Sequence, residues 1–472
     1  MHKPHQYSAA LTDSVNEELL AHLIRPDGQE DLAFALYTLS SGANRTTALI
    51  NTVILPEPGD RAVHGNVSFA PAYLKRVARL AMAQGMGIAF LHSHPHPGWQ
   101  RMSRDDVAAE TYLAGVAQGY TGLPLVGLTT GSDGTWSARF WTVNEGGEPS
   151  RHWCQTVRTV GQQLRVSFDD AQVPAPAYRE EFKRTLTVWG DAIHRDLTRL
   201  HIGIVGLGSV GSHVAEALAR MGFTRLTLID FDEVKRHNLD RLAGASRDDL
   251  GRLKVDVAEA NVRRVGTAAH IDVVPAPLSV NTAGGYGAAL DCDVLFSCVD
   301  RPRARQALNH IALAHLIPAI DGGVAVDMTG GEFSGASWQA LTVTPGRRCL
   351  QCAGQFDPQD AELECQGHLE ETSSYMRNLP SDHRFKRNEN VHPFTANLAS
   401  LEVMQLIVLA TGAGGVRHVG IQRYWYQLGT LQADVVAECR QDCVHQAHVG
   451  HGEWSFPHFE MDDTESQPPK AG

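Results

Sequence analysis

His201-Ile202-Gly203-Ile204-Val205-Gly206-Leu207-Gly208-Ser209-Val210-Gly211 decides how the chain is read. An apolar strand over 200–205 runs into a Gly-x-Gly-x-x-Gly turn. A helix with apolar period follows, with Val214, Leu218 and Met221 on one face. A second strand over 225–229 ends in Asp230. Strand, glycine turn, helix, strand and acid in that order describe a nucleotide-binding α/β unit. The glycines let backbone approach phosphates, and the helix N-terminus offers unpaired N–H groups. Asp230 stands where an acid meets ribose hydroxyls.

Past Asp230 come Asp232, Asn238, Arg241 and Lys254, the last on a helix expected over 250–265. A strand over 294–299 then delivers Asp300. A nicotinamide site has no use for an Asn, an Arg and a Lys converging on its phosphate end, whereas a triphosphate spreads charge onto such groups when cleaved. Asp300 is placed to hold Mg²⁺ against those phosphates.

Gly206-x-Gly208-x-x-Gly211, Asp230-x-Asp232, Asn238-x-x-Arg241, Lys254 and Asp300-x4-Arg305-x3-Asn309 together resemble the adenylation domain of the ThiF/MoeB/HesA family, relatives of the ubiquitin-activating enzymes. The resemblance runs from about 184 to 443 and implies a Rossmann-like adenylation domain over 199–445 that uses ATP and Mg²⁺. Asp230 would bind ribose, Asp300 would bind Mg²⁺, and Asn238, Arg241 and Lys254 would neutralise the triphosphate. Arg184, six residues before Gly190, fits the family's arginine finger, which comes from the other subunit of a homodimer. Losing one such preorganised group costs about 10²–10³ in rate. Two positions depart from the family: Ser209 stands in place of a Gly, and Arg301 in place of an Asn.

Eight cysteines in a chain without a basic-then-apolar leader read as ligands, nucleophiles or core, not disulfides, and the expected location is cytoplasmic. Cys349-x-x-Cys352 and Cys439-x-x-x-Cys443 bracket a domain as two halves of a structural Cys₄ zinc site. The second pair is one residue wider than the family's, which leaves His445 open as a substitute ligand. Cys365 lies in the polar stretch 359–390, where family members that form a thioester or persulfide place their nucleophile. Cys154, Cys292 and Cys298 read as core.

In the N-terminal third, strands are expected over 30–39 and 46–55. A helix over 70–84 buries Leu74, Val77, Leu80 and Ala81. A strand over 86–91 then delivers His92-Ser93-His94-Pro95, and Ser103-Arg104-Asp105-Asp106 leads a helix over 107–117. His92 and His94, two apart at a strand end, point to the same side, as a metal site requires. His92-x-His94-Pro95 followed by Ser103-x-x-Asp106 resembles the zinc signature of JAB/JAMM (MPN-fold) isopeptidases. The resemblance implies an α/β domain over 1–160 in which His92, His94 and Asp106 hold catalytic Zn²⁺. Glu30 would take a proton from a water, and Ser103 would help to stabilise the oxyanion. Zinc brings the pKa of a water to about 7, within reach of a carboxylate base. The gap between His94 and Ser103 is one residue longer than the family's, so either a loop bulges or Asp105 is the ligand.

Between the two halves, Val173-Pro174-Ala175-Pro176-Ala177 is a spacer within a linker region over 161–198. Residues 151–164 and 178–200 are expected to be helical, and 446–472 reads as a disordered tail. With 472 residues, a net charge of −12 and a pI near 6.0, the chain is expected to be multidomain and to bind neither nucleic acid nor a membrane surface. The helix expected over 398–411 is too short to cross a bilayer.

Taken together, the two resemblances imply one substrate class. Adenylation activates the C-terminal Gly carboxylate of a ubiquitin-like or sulfur-carrier protein, and JAMM chemistry cleaves an amide of that same carboxylate. Such an enzyme would process a ubiquitin-like protein or its conjugates, adenylate its C-terminal glycine and pass it to Cys365 and a conjugating enzyme. In the alternative, it matures a sulfur carrier for cofactor or amino-acid synthesis.

Overall fold

The computed structural model describes residues 4–64, 66–370, 373–380, 389–412, 415–416, 418–435 and 438–454. The chain divides into two compact units. The first is built from the residues up to Pro174, joined by Ala314–Leu316 and the segment from His448, and the second from Ala175 onward.

The first unit holds β1 (Gln6–Thr12), α1 (Asp13–Leu23), β2 (Leu32–Ser41), β3 (Arg45–Ile54) and the separate hairpin β4 (Arg61–His64) and β5 (Asn66–Phe69). There follow α2 (Pro71–Gln84), β6 (Gly87–Ser93), α3 (Arg104–Thr121), β7 (Leu125–Thr130) and β8 (Trp136–Val143). Strands β9 (Pro149–Trp153), β10 (Thr156–Val160) and β11 (Leu164–Phe168) complete it. The nine-stranded sheet has the order β11-β10-β1-β3-β2-β6-β7-β8-β9. Period-two alternation splits its core between the two faces. Ala33, Ala35 and Tyr37 of β2 pack with Leu19 and Leu23 of α1, while Leu32, Phe34 and Leu36 pack with Val77 and Ala81 of α2 and Leu113 of α3.

Several expectations need correction here. Residues 151–164 are strand, not helix: Arg158 is fully buried in β10, between β1 and β11. The unit therefore runs past 160, to Pro174. β1 and α1 precede the strand expected over 30–39, which begins at Leu32, so Glu30 lies two residues before it. Leu80 is 38% exposed and leaves the α2 stripe to Leu74, Val77 and Ala81. Residues 448–454 are ordered within this unit: the Gly450 carbonyl accepts from Thr38 Oγ1 at 3.0 Å, and the Ser41 amide donates to Glu453 Oε1 at 2.7 Å. The remaining residues of the expected tail lie outside the described residues.

The second unit begins with α4 (Lys183–Thr198), broken at Gly190 (φ 84°), then β12 (His201–Val205), α5 (Gly211–Met221), β13 (Arg225–Ile229) and α6 (Lys254–Val265). It continues through β14 (Asp272–Ala276), α7 (Ala283–Leu290), β15 (Val294–Ser297), α8 (Pro302–Ala314), β16 (Ala319–Thr329) and β17 (Glu332–Val343). The last elements are α9 (Pro358–Cys365), α10 (Ser374–Asn378), α11 (His392–Thr411), β18 (Ile421–Trp425) and β19 (Thr430–Asp434). The sheet order is β14-β13-β12-β15-β16-β17-β18-β19, parallel from β14 to β16 and antiparallel beyond. Parallel strands alternating with helices place ligands at the carboxyl ends of β12, β13 and β15, where Gly206, Asp230 and Asp300 lie. α11 is 20 residues, longer than expected, and packs with Leu398 and Leu401 against the Trp338 side of β17. By length and hydropathy it would suit a bilayer, yet it carries buried Glu402 and Gln405 and lies in this unit's core.

Candidate functional site

At the end of β12 the glycines do three different things. A Cβ on Gly206 (φ 86°) would stand 2.5 Å from the Cys298 carbonyl oxygen, and one on Gly211 would stand 1.9 Å from the Gly206 carbonyl oxygen. A Cβ on Gly208 would meet nothing within 4 Å, so the turn is tight behind and open in front, as an incoming phosphate requires. Asp230 secures the turn: its Oδ2 accepts from the Leu207 amide at 2.6 Å and its Oδ1 from the Asp232 amide at 2.8 Å. Lys254, at the first turn of α6, reaches Asp232 Oδ2 at 2.6 Å and Asp230 Oδ2 at 3.8 Å. Burial pushes the Asp230 carboxyl up, with Lys254 partly offsetting it. Burial also opposes the Lys254 charge, but Asp230 and Asp232, with a contribution from Asp300, outweigh it and raise the amine. Asp230, Asp232, Lys254 and Asp300 thus form one electrostatic group at the mouth of the glycine turn.

Two expected residues stay within their own turn. Asn238 Oδ1 accepts from the Lys235 amide at 2.9 Å, and Arg241 Nη1 donates to the His237 carbonyl at 2.6 Å and to Asp240. Arg184 lies on the exposed first half of α4, before the Gly190 break, and makes no side-chain contact to this group among the described residues. From Asp300 a cleft of about 450 Å³ extends along Arg305, Gln355, Phe356, Asp357 and Arg440. Cys365 is exposed at the last residue of α9.

The four cysteines Cys349, Cys352, Cys439 and Cys443 bring their sulfurs within 4.8 Å of one another. Cys349 and Cys443 Sγ are 3.7 Å apart, and the Cys349 amide donates to Cys439 Sγ at 3.2 Å. Hydrogen bonding from Cys349 brings the Cys439 thiol down to about 5, while burial lifts Cys443 to about 11. An all-sulfur set of four at this spacing suits tetrahedral Zn²⁺. His445 points elsewhere, to Gln351 Oε1 at 2.8 Å, so it does not complete the cluster.

In the first unit, β6 carries His92 at its end and His94 just beyond. Their Nε2 atoms lie 3.3 Å apart, and each is 3.3 Å from an oxygen of Asp106. All three ligand atoms fall within 4.8 Å. Asp106, not Asp105, takes this place because it is the N3 partner in the capping box of α3, whose N-cap is Ser103: Ser103 Oγ accepts the Asp106 amide at 3.1 Å, and the Ser103 amide donates back to Asp106 Oδ2 at 2.7 Å. Burial works against the Asp106 charge, but hydrogen bonds with His92 and His94 hold it well below the carboxylate range. Two imidazoles and one anion, converging with their ring nitrogens, form a donor set that fits zinc with an open position. Glu30 is brought to the same place by strand register. Leu32 pairs with His92, and Asp31 exchanges hydrogen bonds with Ser93 (3.0 Å each way). Glu30, two residues before Leu32, lies near enough to His94 for its charge to be felt there: burial lowers the His94 imidazole, but the Asp106 carboxylate, with a smaller contribution from Glu30, outweighs burial and raises it.

Sequence reasoning missed the groups behind this site. Thr129 Oγ1 lies 3.3 Å from His92 Nε2 and accepts from Arg139 Nη1 at 2.6 Å. Arg139 is paired with Glu110, and both are fully buried. Asp31, 1% exposed, meets Arg61 Nε at 3.1 Å and Arg25 Nη1 at 3.3 Å. These partners come from four different elements, so no local spacing announces them. One signal was available: Gly127, whose Cβ would stand 2.3 Å from Glu110 Oε2.

The ThiF family model matches residues 182–441, more than half of the chain. The chain belongs to the ThiF family. Relatives include the Escherichia coli tRNA threonylcarbamoyladenosine dehydratase, 31% identical over 161 residues (34% of this chain, 58% of the relative). The E. coli molybdopterin-synthase adenylyltransferase is 30% identical over 162 residues (34% and 61%), and the Haloferax volcanii SAMP-activating enzyme E1 is 30% identical over 149 residues (32% and 51%). The matched stretches therefore span about half to three fifths of these relatives. Among solved structures, E. coli MccB with MccA-N7isoASN aligns at a TM-score of 0.44 and 17% identity, covering 57% of this chain and 75% of that one. The glycine turn, Lys254 and Asp300 all fall inside the ThiF match.

Proposed function

We propose that the chain is a bifunctional enzyme of a ubiquitin-like pathway. Its ThiF-family unit adenylates the C-terminal glycine of a small carrier protein, and its first unit, a JAB/JAMM-type zinc peptidase, cuts amides of that glycine. The observation that carries the first half is the group Asp230, Asp232, Lys254 and Asp300 at the open side of the glycine turn.

In the adenylation step a carboxylate oxygen of the carrier attacks the α-phosphorus of ATP; the new O–P bond forms as the bond to pyrophosphate breaks. Lys254, already charged, draws the phosphates inward, and Asp300 would hold Mg²⁺, which supplies charge neutralisation. Arg241 must turn from the His237 carbonyl to join, and Arg184 would act across a homodimer. The Cys365 thiolate then attacks the acyl carbon, forming a C–S bond and releasing AMP, with the thiol proton passing to solvent. The acyl group can pass from there to a conjugating enzyme. The cysteine cluster would hold structural zinc.

In the first unit, His92, His94 and Asp106 would hold the zinc, which supplies Lewis acidity. Glu30 takes a proton from the attacking water and returns it to the leaving amine, and Ser103 faces the developing oxyanion.

Pyrophosphate–ATP exchange with candidate carriers ending in Gly tests the reading, with tRNA as a control because one relative is named for it. Exchange with a carrier and not with tRNA is expected; ATP binding without exchange for any carrier would sink the activation reading. The relative named for molybdopterin synthase keeps a sulfur-carrier reading in play: a thiocarboxylate on the carrier would favour it, a Lys-linked conjugate the first reading.

A further inference from the structure

Two departures from the family pattern, and one glutamate next to Cys365, meet the stretch that carries that cysteine. Arg301, directly after Asp300, sends Nη1 to the Leu369 carbonyl at 3.1 Å. Glu364 Oε2 accepts the Arg303 amide at 2.9 Å, at the start of α8. Leu369 itself is buried, while Cys365, one residue after Glu364, remains exposed. Ser209 of the glycine turn accepts from Asn390 Nδ2 at 3.2 Å, where the chain returns towards α11.

We infer that Glu364 and Arg301 are positioning residues, a clip that holds α9 and presents Cys365 beside Asp300; the inference rests on Cys365 being the acyl acceptor. The two bonds leave from residues 301 and 303, just after Asp300, and grip the chain on both sides of Cys365, at 364 and at 369. With one bond a short helix pivots, whereas with two it is fixed in rotation as well as in place. The first-turn N–H groups of a helix generally look outside it for acceptors, and at the α8 start the Glu364 carboxylate serves the Arg303 amide and gains from the helix dipole. Burial, with Asp300 adding to it, pushes the Glu364 carboxyl up, and Arg301 and Arg303 pull the other way; its charge state is tied to the same loop that would hold Mg²⁺. A thiol misplaced by about 1 Å from its acyl carbon loses up to about 10²-fold in rate. The clip is therefore worth having for the transfer step alone. Adenylation, in which Cys365 takes no part, does not need it.

The test uses the full chain as wild type and as Glu364→Ala, Glu364→Gln, Arg301→Ala and Cys365→Ala. Hydrogen exchange over 358–369 reads the clip without any partner: Glu364→Ala and Arg301→Ala should speed it, and Glu364→Gln, which keeps an acceptor oxygen, should largely restore it. With a carrier, pyrophosphate exchange in Glu364→Ala should stay within about threefold, while formation of a thiol-sensitive carrier adduct falls on the order of tenfold or more. Unchanged hydrogen exchange over 358–369 in both alanine variants overturns the clip, and so does an equal loss of both activities. The acceptor reading fails separately, if Cys365→Ala forms the adduct as well as wild type does.

Discussion

Glu30 owes its place to a register, not to a motif. Asp31 and Ser93 exchange two hydrogen bonds, and Glu30, the preceding residue, lies near enough to His94 to favour its charge. Glu30→Gln keeps the backbone and the shape, so zinc content should be unchanged while peptide cleavage falls about 10²–10⁴-fold, the usual contribution of a positioned base. Metal analysis beside a cleavage assay checks this, and cleavage persisting in the variant would remove Glu30 from the mechanism. At this scale the sequence was informative wherever ligands sit close in the chain: His92, His94 and Asp106 converge as their spacing suggests. The one-residue excess before Ser103 is absorbed in the loop, because the cap geometry pins Asp106 to Ser103 whatever the loop length. The second layer was not legible. Thr129, Arg139 and Glu110 are ordinary residues of β7, β8 and α3 until the sheet brings them behind His92.

At the scale of elements, β12, α5 and β13 follow the sequence closely, since each has a clear period and a glycine or acid at its end. Residues 149–168 do not. Three short strands there carry Arg151, Arg158 and Arg165, and β10 shows no apolar–polar alternation: it is buried at every position, its arginine included. α11 shows the opposite case: its apolar run was visible, but the cost of its polar residues was not. Glu402 is fully buried, its Oε1 has no hydrogen-bond partner among the described residues, and Cys298 Sγ lies 3.5 Å from Oε2. Burial, with the Asp321 charge adding to it, pushes the carboxyl well above its ordinary range. The folded state therefore binds this proton more tightly than the unfolded chain, which loses it near pH 4.3, so this group's contribution to stability falls as pH rises above that value. Glu402→Gln removes the titration. The second unit should gain roughly 1–3 kcal/mol at pH 8 and little at pH 5. Thermal melts at the two pH values check it; an equal shift at both would point to packing, not ionisation.

Over the whole molecule, the two clusters that could hold a metal differ in chemistry in a way that separates them experimentally. The Cys₄ set ties the ends of a stretch ninety residues apart in sequence, whereas the His₂Asp set joins a strand end to a helix start. Zinc in the first should contribute folding energy outright, and zinc in the second should mainly serve reactivity. Two zinc ions per chain are expected. Cys349→Ser should lose one and lower the melting of the second unit by several degrees, and His92→Ala should lose the other while that transition stays put. A single zinc in the wild type, or both lost in either variant, would contradict the assignment.

The division between the two units falls within the Pro/Ala spacer, while residues 448–454, tail-like in sequence, belong to the first unit. Their hold is specific. Gly450 O accepts from Thr38 and from Asn51 Nδ2 at 3.2 Å, Glu453 accepts from the Ser41 amide, and Gly452 lies so close to β2 that a Cβ would stand 2.2 Å from the Leu39 carbonyl oxygen. At about 1 kcal/mol for each net hydrogen bond, a chain ending at 447 should lose roughly 2–3 kcal/mol from the first unit. Its ThiF-family unit retains the glycine turn, Lys254 and Asp300. The truncated protein should therefore lose peptide cleavage at a lower temperature than the full chain while keeping its pyrophosphate exchange. Equal thermal loss of both activities would mean that the segment stabilises the chain as a whole and not the first unit.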